Sequence, residues 1–146
     1  MKNRKDIMNN INLVFGLLLF VVFLITGYYM KEYFKPEHLN NIEQRLQIRS
    51  NHIYILFVSL LNITISICRF DKTKKSIYYL DLSLRILIVF TGILAFLAFC
   101  FEHTGEIDNR KQTLSTVILS LSSVGLLLLT ELINRRKNKK ALQQKL

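Results

Sequence analysis

Four long apolar runs dominate the chain. They cover Ile11–Met30, Ile53–Cys68, Leu82–Phe101 and Thr113–Ile133, and no regular polar alternation of helix or strand period divides them. A hydrocarbon layer about 30 Å thick takes roughly 20 residues of helix at about 1.5 Å each. Three runs meet that length directly. The second has 16 residues and reaches it only with Ser50–His52 or Arg69 at the interfaces. The pattern predicts an all-α fold, an integral membrane four-helix bundle with spans at about 11–30, 53–68, 82–101 and 113–133.

The pieces between the runs are short, the longest being 31–52. Pro36 follows the first run and is well placed to begin a helix. From there Leu39, Ile42 and Leu46 recur at helical spacing, and neither Gly nor Pro intervenes before Cys68. One continuous helix is expected from about Glu37 to Cys68, its part 37–52 an amphipathic extension outside the membrane. Turns fall at Asp71–Lys74 and Thr104–Asn109, and short antiparallel connections favour an up-down-up-down order. The whole of 1–146 reads as one membrane domain. The first run, with its basic flank, resembles a signal peptide, but it is longer than a signal core and Thr26-Gly27-Tyr28-Tyr29 is not an A-x-A site. It is read as a retained helix.

Charge sets the expected orientation. Segments 1–10, 69–81 and 134–146 carry 13 Lys and Arg and 3 acids, whereas 31–52 and 102–112 carry 6 of each. The formal net charge of +10 therefore sits on one side, which the positive-inside rule makes cytoplasmic. Both termini are expected there, in a cell inner (plasma) membrane. Tyr28, Tyr29, Tyr33, Phe34 and Tyr54 would mark the outer interface, and Phe70, Tyr78 and Tyr79 the inner one. The basic runs Lys72–Lys75 and Arg135–Lys140 abut spans and lack interleaved aromatics. They read as topology signals and contacts for anionic lipid, not as a nucleic-acid surface.

The polar residues within the runs carry what specificity there is. At about 100° per residue, Arg45, Arg49, His52, Ser59, Asn62 and Ser66 fall within about 140° of one another on the second span. Such a stripe is either a hydrated or ligand-facing surface or a hydrogen-bonded helix contact. Arg85 lies four residues after Asp81 and one turn from the inner boundary, with Glu131 at matching depth on the fourth span. An interhelical Arg85–Glu131 pair is expected, Asp81 being the local alternative. Gly16, Gly27, Gly92, Ala95 and Ala98 mark expected close helix approach. Thr113, Thr116, Ser120, Ser123, Thr130 and Glu131 align on one face of span four, as a pore lining or, more commonly, a helix contact.

His52 and His103, with Glu102 and Glu106, stand near the outer interface. They offer no paired spacing such as HExxH, so no metal and no cofactor is assigned. No Gly-rich phosphate loop, no GxSxG and no paired carboxylate lies deep in the membrane, and no soluble catalytic domain fits the connections, so the chain does not read as an enzyme. Cys68 and Cys100 fall near opposite faces and read as small apolar residues without a disulfide.

The stretch Arg49-Ser50-Asn51-His52-Ile53-Tyr54, followed by Leu60-Leu61-Asn62, resembles a segment of small, uncharacterised bacterial inner-membrane proteins. The resemblance covers about 14 residues, implies no activity, and singles out Arg49, His52, Tyr54 and Asn62 as a candidate binding or contact surface. The expected role is a non-enzymatic membrane protein acting through helix–helix contacts, as a homo-oligomer or with a membrane protein partner. The rivals are a small oligomeric channel or permease, and a haem- or quinone-linked redox subunit using His52 and His103.

Overall fold

The computed structural model describes the backbone of residues 2–38, 40–68, 75–102 and 110–143, and the side chains of 10–38, 40–68, 77–102, 110–133 and 135. Helix α1 spans Lys2–Tyr29, α2 Ile42–Ile67, α3 Lys75–Phe101 and α4 Lys111–Gln143. All four are long and apolar enough to cross a membrane, and the chain is a multi-pass membrane protein on that basis. Helices are the only way a single segment satisfies its own backbone N–H and C=O groups in hydrocarbon. The turns at 71–74 and 104–109, His103, Glu106 and most of the terminal basic side chains lie outside the described residues.

Consecutive helices are antiparallel and pack in chain order, α1 on α2, α2 on α3 and α3 on α4. Lighter contacts join α1 to α3 and α2 to α4, while α1 and α4 make no substantial contact among the described residues. The core therefore lies along α2 and α3, where Ile48, Ile55, Val58, Leu84, Ile88 and Ala95 are all nearly inaccessible. The outer pair present apolar side chains outward, Val14, Leu18, Val21 and Ile25 on α1 and Leu114, Ile118, Leu121 and Leu128 on α4.

The expected continuous helix from Glu37 to Cys68 is broken. Tyr29 runs on through a π turn at Met30–Phe34 into a last short turn, Lys35–Glu37. Pro36 therefore stands at the end of the first helix rather than beginning the second. It brings no N–H to the ladder and its ring crowds the carbonyl four residues back. The helix widens immediately ahead of it, with the Lys35 N–H donating to the carbonyl of Met30. His38 closes this end, its N–H donating to the Phe34 carbonyl at 3.1 Å while its ring stacks on Phe34 at 4.2 Å. The break falls at residue 41 because Asn41 is an N-cap: it leaves helical geometry at φ −104°, ψ 87°, and its side chain accepts from the Gln44 N–H at 3.1 Å. The apparent shortness of the second run disappears, since the 26 residues of α2 give about 39 Å.

Two glycines set the helix spacing. A Cβ on Gly16 would stand 2.9 Å from Ile63 Cγ1 and 3.0 Å from Asn62 Cβ, and one on Gly92 would stand 2.7 Å from Leu19 and Phe15 side-chain atoms. The first lets α2 close on α1, the second lets α1 close on α3. Close approach by small residues is the common device where apolar burial between helices offers no gain over lipid.

Candidate functional site

The antiparallel register brings polar residues together at three levels, and the most buried lies toward the end that carries the chain termini. There Asn12 Nδ2 donates to Asn62 Oδ1 at 3.1 Å and to the Arg85 carbonyl at 3.3 Å. Asn62 Nδ2 reaches the carbonyls of Val58 at 3.0 Å and Ile88 at 3.4 Å. Both amides are fully buried, so α1, α2 and α3 are joined by one polar node. Asn12 was not among the residues singled out from the sequence. The signal available was a lone amide near the start of an apolar run, and a short polar side chain there is also what a boundary residue looks like.

One turn nearer that end lies the ion pair. Arg85 Nε meets Asp81 Oδ1 at 3.0 Å, both side chains are nearly inaccessible, and Arg85 Nη2 also donates to the Cys68 carbonyl at 3.3 Å. Glu131 instead pairs with Arg135 at 2.7 Å on the surface of α4. The interhelical Arg85–Glu131 pair is thus replaced by two i, i+4 pairs. Asp81 sits one turn before Arg85 on the same helix face, and an aspartate there holds the guanidinium without spanning the gap to α4. Among the described residues Arg85 Nη1 has no hydrogen-bond partner.

At the opposite end α3 finishes with Glu102, whose carboxylate accepts from the backbone N–H groups of Gln112 and Thr113. An acid placed on the first turn of α4 satisfies donors that no helical carbonyl can reach, and meets the positive end of the helix dipole. Thr113 Oγ1 lies 2.6 Å from Glu102 Oε2 and 2.9 Å from Asn51 Oδ1. Arg110 Nη2 donates to Asn51 Oδ1, and Asn51 Nδ2 donates to the Ala98 carbonyl at 2.9 Å. This cluster ties α2, α3 and α4 together as Asn12 and Asn62 tie α1, α2 and α3. Asn51 and Arg110 went unselected because their partners come from three different helices.

The candidate surface of Arg49, His52, Tyr54 and Asn62 is not one surface. Asn62 is internal. His52 is half-buried between α1 and α2, its ring stacked on Phe23 at 4.2 Å and its Nδ1 3.0 Å from Thr26 Oγ1. The threonine hydroxyl also lies 2.9 Å from the Val22 carbonyl. It lies 3.0 Å from the Phe23 carbonyl as well, and the direction of its bond with His52 depends on the imidazole tautomer. Tyr54 is half-buried against the core. Arg49 is exposed and lines a cavity between the end of α1 and the start of α2.

Stripe residues elsewhere face inward. Ser59 Oγ donates to the Gly16 carbonyl at 2.9 Å across the glycine contact. On α4, Thr116, Ser120, Ser123 and Thr130 are buried, each hydroxyl returning to a carbonyl three or four residues back on its own helix. These hydroxyls are packed within one copy of the chain. Among the described residues no group of three or more His, Cys, Asp and Glu side chains is placed to hold a metal ion. Compared with protein families, with curated proteins and with solved structures, the chain finds no match.

Proposed function

We propose that this chain is a non-enzymatic inner-membrane protein, with both termini cytoplasmic, that acts through helix–helix contact with a second copy or with another membrane protein. The observation that carries the reading is the open arrangement of the outer helices. Only 22% of the apolar window of α1 and 22% of that of α4 is buried, against 39% for α2 and 44% for α3. The polar side chains that would otherwise serve as adhesive are spent inside the bundle, which leaves the lateral faces of α1 and α4 as the contact surfaces. The Lys and Arg of the terminal end support the orientation, and their charge suits contact with anionic lipid of the cytoplasmic leaflet.

Cysteine crosslinking in native membranes tests it, with Cys68 and Cys100 replaced by Ala. Val21→Cys on α1 and Leu121→Cys on α4 are expected to give a covalent dimer or a defined adduct, whereas Thr116→Cys, buried inside the bundle, gives none. A chain that stays monomeric and without neighbours at both outward positions overturns the reading. Reporter fusions at the two ends are expected in the same compartment, and liposomes holding oriented protein are expected to pass no ions.

A further inference from the structure

The first turns of α2 carry apolar side chains past the point where the hydrocarbon ends. The helix has 26 residues, about 39 Å, so about 9 Å of it lies beyond a hydrocarbon layer of about 30 Å. With its C-terminus at the inner boundary, that excess is the stretch from Ile42 to Gln47. Ile42 is 67% and Leu46 60% exposed. At about 100° per residue, these two and the exposed Ile53 fall within about 40° of one another. A narrow apolar stripe therefore rises out of the membrane. Covering it with protein is favourable at its watery end, as covering the lipid-facing part is not.

Charges of opposite sign stand on its two sides. On the same helical count Arg49 flanks the stripe on one side and Glu43 on the other. The end of α1 extends both flanks. Lys35 lines a hollow with Arg49 in which no carboxylate takes part, and Glu37 lines a neighbouring hollow with Glu43 in which no Lys or Arg takes part. All four side chains are exposed. Among the described residues none of these four is in an ion pair within the chain.

Such a surface complements itself. Copies inserted the same way round are related by a two-fold axis along the membrane normal, and that rotation sets the cationic flank of one copy against the acidic flank of the other. Isolated surface ion pairs contribute little energy. The apolar stripe therefore supplies the adhesion, while the charges select the partner and its orientation. A partner of one charge sign would match one flank and repel the other.

We propose that the outer end of α2 docks on the same end of a second copy. Ile42 and Leu46 meet at the two-fold axis, and Lys35 and Arg49 of each copy face Glu37 and Glu43 of the other. This contact lies outside the hydrocarbon and apart from the lateral faces of α1 and α4, so either contact can hold without the other.

Disulfide crosslinking of Leu46→Cys in native membranes, with Cys68 and Cys100 replaced by Ala, tests it. A dimer of twice the chain mass is expected, at least fivefold weaker in 1 M salt, where the screening length is about 3 Å. Two further chains carry Leu46→Cys with one flank reversed: Glu37→Lys with Glu43→Lys, or Lys35→Glu with Arg49→Glu. Each alone is expected to crosslink at least fivefold less than the original, and the two expressed together to recover the dimer as a mixed pair. All four positions are exposed, and an unchanged helical spectrum verifies folding. Absence of the Leu46→Cys dimer overturns the proposal, as does an adduct of another mass alone. Reversed chains that each crosslink like the original overturn it too, as does a mixture no better than either alone. Val21→Cys and Leu121→Cys report on the lateral faces separately, so failure there leaves a Leu46→Cys dimer standing.

Discussion

Removing the Asn12 amide tests whether the buried polar node holds α1 to the bundle. Asn12→Ala deletes two hydrogen bonds, at 3.1 Å to Asn62 and at 3.3 Å to the Arg85 carbonyl. Interhelical hydrogen bonds in membranes average about 0.6 kcal/mol and reach about 1.7 kcal/mol, because the dissociated helices also find partners. Two bonds of average strength put the loss near 1.2 kcal/mol, about an eightfold fall in the folded ratio. Asn62→Ala removes the shared bond and also its own bonds to the Val58 and Ile88 carbonyls, so its cost is the larger, about 1–3 kcal/mol. The informative quantity is the coupling in a double-mutant cycle of Asn12→Ala and Asn62→Ala, expected at about 0.6–1.7 kcal/mol. Reversible unfolding in mixed micelles, followed by circular dichroism, measures all four corners. Additive losses, with coupling inside the error of the method, would show that the two amides do not act on each other and refute the node.

Three further outcomes follow from particular contacts. Gly16→Ala places a methyl 2.9 Å from Ile63 Cγ1 and is expected to cost about 1–3 kcal/mol by overpacking. Gly125→Ala, with nothing within 4 Å, is expected to be neutral or stabilising by up to about 1 kcal/mol, and equal melting shifts for the two would contradict the close α1–α2 contact. Asp81→Asn strips the buried Arg85 of its counter-charge and is expected to cost about 3–5 kcal/mol, whereas Glu131→Gln, in an exposed pair, costs under about 1 kcal/mol. A larger loss at Glu131 than at Asp81 would restore the interhelical pair. Glu102→Ala uncaps α4 and is expected to cost about 1–2 kcal/mol, with faster hydrogen exchange at the Gln112 and Thr113 amides as the local signature.

Much of the fold was legible along the chain because the hydrocarbon constraint is one-dimensional. A run of some 20 apolar residues must become a helix that crosses, whatever its neighbours do, and the order of four such helices joined by short turns leaves little freedom. The sequence misled where backbone geometry is settled locally by a competing group. Pro36 has the position of a helix start and stands at an end, because a widened turn ahead of it absorbs the missing donor. Asn41 offered a capping side chain where helical periodicity alone suggested continuity. Arg85 takes the partner on its own helix for a related reason. Depth matching places Glu131 within consideration, but only the bundle geometry shows that Asp81, on the same helix, is the nearer partner.

The amino-acid order by itself determined four crossings, their alternation, the basic and neutral ends, and the existence of polar stripes on α2 and α4. These follow from transfer of side chains between water and hydrocarbon, a property each residue carries with it. Which way the stripes face, and which residue meets which, was decided only by the register between helices. Asn12 finds Asn62 across 50 positions of chain, and Thr113 meets Asn51 across 62. Such pairings depend on where a glycine lets two backbones close and on how the facing helices are offset, and neither is written in the hydropathy of the segments themselves.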